Sequence, residues 1–535
     1  MSPPPKPGRH ARAIAATGGR LRARWPSLAT APGAPGVPGR GVAARDDRVI
    51  LMMVLAIAAL VRIPTVFFEL YHHPDEVWQY LEPAYRLVVG PGVIPWEYRA
   101  GIRSWLIPML LAPPMALGKL IWPDSILYLV PVRLMLVAWS LAIVGCGTML
   151  GLRISRLHGL VVGLALATWF ELAYFSARAL SDMIAASAIF AAAWALLPDP
   201  DRTPRRLLLG GVLLGFAFSA RFQLAPCLAV LVIGCCRRDM RAWRMVIAGG
   251  LLGLAAGALA DGVAGAVPFR WMWENVRLNL VESRSRRYGV APPLWFLTNQ
   301  LRLWGWGAVP MLALVILGAR RQPILLLVAI TNIAAHSLIA HKEYRFIFGS
   351  VALLLLLAAL GLADLLTMAR ARWPRRRVAF ALLAALVWSG CAVAAVLSPA
   401  GRAQWRSGTR TIALMRAAHD VQGICGLAYF QPAAALIASY VYYDRTTPIY
   451  VFTGATSYRD ARSDTARYNA VVTSADRAWQ LDPAFRLQRC VRGRLDSSSS
   501  LAPISDRCLY VRPGPCRGQE DSRMDINAVV ARVGE

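Results

Sequence analysis

Charge in this chain is swept out of long apolar runs and gathered between them, and that segregation limits the fold more than any single motif. Apolar stretches of about 20 residues alternate with short arginine-rich clusters, and that is the length an α-helix needs to cross the ~30 Å hydrocarbon slab of a bilayer. A soluble chain of 535 residues, 56% of them hydrophobic, would instead intersperse charge among several cores. In lipid every backbone polar group must be satisfied within the segment, which helices achieve. The expectation is an all-α polytopic membrane protein. Eleven runs qualify as spans, near 48–68, 127–150, 158–177, 179–197, 206–219, 221–236, 243–266, 296–317, 322–340, 346–366 and 377–397. The run at 105–121 is shorter and is broken by Pro108, Pro113 and Pro114, so it reads as a juxtamembrane or re-entrant helix.

Topology follows from the arginines. With 105–121 left out, Arg153/Arg156, Arg202/Arg205/Arg206, Arg237/Arg238/Arg241/Arg244, Arg320/Arg321 and Arg370 to Arg377 all fall on one side, which the positive-inside rule makes cytoplasmic. The net charge of +29 is therefore topogenic, not a nucleic-acid surface. Residues 1–47, rich in Pro, Gly, Ala and Arg, cannot bury a core and read as a disordered basic cytoplasmic tail. The membrane domain covers 48–397, with 69–126 as its first external loop. An odd span count sends 398–535 to the far side, where short β-like runs such as Pro448-Ile449-Tyr450-Val451-Phe452 indicate a small α/β or α+β domain. Cys425, Cys490, Cys508 and Cys516 are expected to pair there, in an unspecified pattern. No Cys-x-x-Cys spacing supports zinc.

The same topology collects the polar residues outside. His73-Pro74-Asp75-Glu76 opens the first loop, followed by Glu82 and Glu97; carboxylates at a membrane face are costly and mark function. Arg178, Asp182 and Arg221 lie at span ends, and His341-Lys342-Glu343-Tyr344-Arg345 precedes another span. Residues 268–295 break the charge rule with Arg270, Arg277, Arg284, Arg286 and Arg287 among aromatics. Either this is an interfacial helix with a snorkelling basic face, or its guanidinium forks hold a phosphate. A carboxylate base near such cations suits group transfer from a lipid-linked phosphate to a hydroxyl. No nucleotide-binding glycine loop is present.

His73-Pro74-Asp75-Glu76-Val77-Trp78-Gln79-Tyr80-Leu81-Glu82 resembles the first-loop motif of glycosyltransferase family 22, the mannosyltransferases of asparagine-linked glycosylation and GPI-anchor assembly. Trp96-Glu97-Tyr98, Ile102-Arg103-Ser104, Ser176 to Ser181, Asn275, Tyr288-Gly289 and His341 to Ile347 continue the likeness in order. The resemblance implies a GT-C fold and inverting transfer of mannose, or another hexose, from a polyprenyl-phosphate sugar to a glycan or glycolipid acceptor. Carried onto this chain, it makes Asp75 the general base with Glu76 in support. Arg103, His341, Lys342 and Arg345 would face the donor phosphate, and Tyr288 would line the site. His73, Gln79, Glu82, Trp96, Glu97, Arg178 and Glu343 join the expected substrate contacts, although Glu76 and Glu82 also suit a helix N-terminus electrostatically. A divalent cation among His73, Asp75 and Glu76 is an open option; no other cofactor is expected. The arginine- and alanine-heavy composition points to a bacterial plasma membrane. A lipid-linked sugar flippase is the alternative, though no inverted repeat supports it.

Overall fold

The computed structural model describes residues 40–431, 438–453, 465–492, 506–517 and 522–533. The described residues from Val49 onward form one compact unit. Helix α1 (Arg40–Arg62) starts within the stretch expected to be tail; the remainder of that expected tail, 1–39, lies outside the described residues.

The loop after α1 carries α2 (Glu82–Val89), α3 (Trp96–Arg99) and α4 (Leu106–Ile121). Next come α5 (Val130–Leu152), α6 (Arg156–Thr168), α7 (Phe170–Phe175), α8 (Ser181–Leu196), α9 (Pro204–Ala220), α10 (Ala225–Cys236) and α11 (Met240–Val263). After α12 (Arg270–Val276) follow α13 (Trp295–Trp304), α14 (Ala308–Ala319), α15 (Pro323–Ser337), α16 (Phe348–Arg372) and α17 (Arg377–Leu397). Every apolar run read from the sequence is helical, but two are interrupted. The run at 158–177 breaks between α6 and α7, where Trp169 adopts extended backbone. The run at 296–317 kinks at Gly305, whose φ of 55° suits glycine. By length and composition, six helices among the described residues can cross a bilayer, and five more are apolar but shorter.

Helix α16 is the central post: 78% of its apolar window is buried inside the protein, against 17% for α17, which therefore faces outward. Lipid tails are as apolar as leucine, so helices associate here through close backbone approach, not through hydrophobicity. Helices α9 and α11 meet along Gly211, Gly215, Gly249 and Gly253, and a Cβ at any of these would overlap a carbonyl oxygen of the other helix. Gly318 of α14 and Gly361 of α16 make a similar seam. Arg62 is 1% exposed and meets the terminal carbonyls of α6, donating to Ala167 O at 2.7 Å and Leu166 O at 3.0 Å.

Beyond α17 the chain forms a five-stranded sheet in the order β2-β1-β3-β5-β4. Strands β1 (Leu427–Gln431), β2 (Ile449–Thr453) and β3 (Ala470–Ser474) are parallel, while β5 (Arg507–Val511) runs antiparallel to both β3 and β4 (Arg486–Val491). This is the small mixed α/β region expected from the sequence. All four of its cysteines pair, Cys425 with Cys516 and Cys490 with Cys508; the latter two sit directly opposite one another on β4 and β5. The region is tied to the first loop. Glu82 accepts from the backbone amides of Val93, Tyr440 and Val441, and Lys119 pairs with Asp444.

Candidate active site

Helix ends converge on one cavity of about 480 Å³. Asp75 stands at the start of a π-helical turn, Glu76–Leu81, where an aspartate would ordinarily accept from the helix amides. It makes no such cap. Its carboxylate instead reaches across 270 residues of sequence to Arg345, which bonds Asp75 Oδ2 through Nη2.

Extended backbone explains how the second motif reaches the same place. Side chains alternate along an extended segment, and Glu343 has φ −129° and ψ 142°. His341 and Glu343, two positions apart, line the cavity, and Arg345 joins them from the 3-10 turn Tyr344–Ile347 that follows. Arg345 Nε donates to Glu343 Oε2 at 2.6 Å, and His341 Nε2 lies 2.9 Å from Glu343 Oε1. His73 sits between the acids, 3.4 Å from Asp75 and 3.5 Å from Glu343. Behind Arg345, Asp182 pairs with Arg221 at 3.1 Å.

The remaining walls come from the first loop and the basic loop. Gln79 donates to Glu97 Oε1 at 3.2 Å, and Trp96 stacks on Tyr288 with centroids 6.3 Å apart and planes 18° apart. Arg103 lines the cavity with a buried Nε that has no hydrogen-bond partner. The basic loop contributes Asn275, Asn279, Ser285 and Tyr288. Its arginines Arg270, Arg277 and Arg284 pair with Glu274 and Glu282, so part of the charge that broke the topology rule is neutralised within the loop.

Four expected site residues stand elsewhere. Glu76 is 2% exposed and accepts from the amides of His72 at 2.8 Å and Ala179 at 3.1 Å. Arg178 lies beside it at 3.7 Å and donates to Leu70 O. Glu82 is committed to the three amides described above. Lys342, on the opposite side of the extended segment from His341 and Glu343, donates to Ala291 O at 3.1 Å. These four brace the loops that carry the cavity residues.

Two residues went unremarked in the sequence. Asp261, at the end of α11, accepts from Ser104 Oγ and Trp105 N at 2.9 Å and from Trp271 Nε1 at 3.0 Å, anchoring the segment that carries Arg103. His336, at the end of α15, lines the cavity floor. The available signal for both was an ionisable side chain inside an apolar run.

Burial alone would raise the Asp75 carboxyl, but Arg345 and then His73 outweigh it and hold it well below the usual carboxylate range. Burial, reinforced by the Asp75 charge, pushes Glu97 up to about 7. For Glu343, Arg345 and His341 overcome burial and keep the carboxyl low. Ligand atoms of His73, Asp75 and Glu343 lie within 4.8 Å of one another, a spacing compatible with a cation. Arg345 already bonds both carboxylates, so a dication between them would meet a guanidinium at hydrogen-bonding distance. The arrangement fits an arginine-bridged acid pair better than a metal centre.

Residues 52–403 match the Alg9-like mannosyltransferase family. Among curated relatives, the GPI mannosyltransferase 3 of Yarrowia lipolytica is 26% identical over 332 residues, 57% of this chain and 61% of that protein. The GPI alpha-1,2-mannosyltransferase 3 of Danio rerio is 26% identical over 309 residues, covering 55% and 56% respectively. The chain thus spans less than two thirds of the length of these relatives. The crystal structure of ArnT from Cupriavidus metallidurans bound to undecaprenyl phosphate superposes with a TM-score of 0.52 at 13% identity, over 86% of this chain and 97% of ArnT. That likeness establishes the expected GT-C fold.

Proposed function

Because the chain belongs to the Alg9-like mannosyltransferase family, we propose that it transfers a hexose, mannose in the first instance, from a polyprenyl-phosphate donor to a glycan or glycolipid hydroxyl on the extracytoplasmic face of a multi-pass membrane protein. The arginine clusters on the opposite side support that orientation. Composition supports a bacterial plasma membrane. The undecaprenyl phosphate held by the ArnT structure supports a lipid carrier.

One observation carries this reading: the Asp75 carboxylate shares its cavity with Arg103, a guanidinium without a carboxylate ion pair among the described residues. In a single displacement the acceptor oxygen bonds the anomeric carbon, and the bond from that carbon to the phosphate oxygen breaks. The hydroxyl proton passes to Asp75, while the departing electron pair stays on the phosphate. One displacement inverts the anomeric centre. Asp75 is a weak base at rest because Arg345 sits on it. A phosphate competing for that guanidinium both gains a counter-charge and restores basicity to the carboxylate.

The test is transfer by the purified full chain in nanodiscs, using undecaprenyl-phosphate-[¹⁴C]mannose and cell-envelope glycolipid as acceptor. Asp75→Asn keeps the shape and removes the proton acceptor, so transfer should fall by roughly 10²–10⁴-fold with insertion and thermal stability retained. Transfer at the wild-type rate would remove Asp75 from this role. Movement of labelled lipid between leaflets without product would favour the flippase.

A further inference from the structure

The cavity holds an acceptor atom that no described residue satisfies. His336 is 2% exposed, lines the cavity, and places Nδ1 3.0 Å from the Asn332 carbonyl oxygen. A carbonyl only accepts, so Nδ1 carries the proton, and in the neutral ring Nε2 is a bare lone pair. That Nε2 is buried and has no hydrogen-bond partner among the described residues. A buried polar atom left unpaired is costly and is rarely kept without a purpose. Beside it, Arg221 also lines the cavity and leaves its Nε unpartnered, while its guanidinium lies 4.5 Å from the Phe346 ring. His336 packs against that same ring, with centroids 5.8 Å apart.

An acceptor and a donor around one aromatic ring define what can fill the space. A fully ionised phosphate accepts only, so it can satisfy Arg221 but not the lone pair of His336. A hydroxyl both donates and accepts and satisfies the two together. Resting on the transferase reading above, we propose that His336 and Arg221 form the subsite that takes a hydroxyl of the donor's sugar. This subsite separates recognition of the sugar from recognition of the phosphate, which falls to Arg103 and Arg345. The aromatic face of Phe346 backs the pair as sugar-binding surfaces commonly are backed, with an apolar wall beside fixed polar groups.

Binding of undecaprenyl-phosphate-mannose and of undecaprenyl phosphate to the full chain in nanodiscs tests this. Wild type should hold the mannosylated lipid more tightly. His336→Ala should weaken it about tenfold, the scale of one lost hydrogen bond, with the affinity for undecaprenyl phosphate unchanged. His336→Gln, which restores an acceptor, should recover part of the loss. Donors lacking single mannose hydroxyls supply a check that needs no altered protein. One of them should cost wild type the same factor and cost His336→Ala nothing further. Equal weakening of both lipids, or an unchanged preference in both variants, would overturn the subsite while leaving the transferase reading intact. Wild type binding neither lipid would overturn both.

Discussion

Glu97 and Asp75 stand in one cavity with opposite ionisation behaviour, so under the proposed transfer a proton on Glu97 decides how much negative charge the donor phosphate meets. Asp75 stays ionised throughout the neutral range because Arg345 and His73 hold it low. Glu97, raised by burial and by the Asp75 charge to about 7, is neutral below that pH and ionises as pH rises through it. The expected outcome is a donor KM that climbs several-fold between pH 6 and 8. Glu97→Gln, which preserves the contact with Gln79 and cannot ionise, should flatten that rise. A Gln variant with the wild-type profile would assign the inflection elsewhere. The sign for stability is the same. The folded state holds the Glu97 proton more tightly than the unfolded chain does, so stability contributed by this group is present below about pH 4.5 and lost as pH passes 7. At this scale the sequence named most cavity walls, including Asp75, Glu97, Arg103 and Arg345. It could not distinguish Lys342 from Arg345, because the change from extended backbone at Glu343 to the turn Tyr344–Ile347 separates them only once the backbone is known. His336 was hidden inside a run that reads simply as a span.

The same contrast between composition and geometry governs the helices. Hydropathy located them because helices set in lipid or packed against such helices are apolar along most of their length, whether long or short. Their pairing depends on which glycines touch, which hydropathy does not register. Gly249 and Gly250 are adjacent in α11, yet a methyl group at Gly249 would overlap the Leu208 carbonyl oxygen, whereas at Gly250 the nearest atom, Gly211 O, is 3.9 Å away. Gly249→Ala should therefore destabilise the protein by about 1–3 kcal/mol as α9 and α11 are forced apart. Gly250→Ala should stabilise it by about 0.5–1 kcal/mol, through the ordinary preference of a helix interior for alanine. Thermal unfolding in one detergent, read side by side, checks the pair. Equal shifts for both would show that the seam is looser than the close approach of these backbones requires. The breaks at Trp169 and Gly305 were likewise illegible, since each interrupts an apolar run without changing its composition.

Across the whole molecule, the mixture of long and short helices sets where chemistry can occur. Helices α6 and α8 contain 13 and 16 residues, rising about 20 and 24 Å, short of the ~30 Å slab. The start of α8 and the end of α15 carry Asp182, which pairs with Arg221 behind Arg345, and His336, which lines the cavity, so these buried polar groups are surrounded by protein. The region after α17 then closes this cavity. It shares one compact unit with the membrane helices, and Val530, in the terminal helix Ile526–Val533, lines the cavity. From the same helix, Asn527 Oδ1 accepts from Ile94 N at 2.9 Å and Nδ2 donates to Gly92 O at 3.3 Å. These bonds clamp the strip that leads into Trp96 and Glu97, two walls of the cavity. Composition separated this region from the spans but could not show that it returns to the first loop, because the contact pairs residues more than 430 positions apart. Two bonds of this kind contribute about 1–3 kcal/mol together. If they act on the site, Asn527→Ala should lower transfer by about tenfold, mainly through kcat, while unfolding of the sheet region, followed by proteolysis, stays near wild type. A rate unchanged in a variant whose terminal helix has become protease-sensitive would show the opposite, that the clamp steadies the fold and leaves the catalytic loop to hold itself.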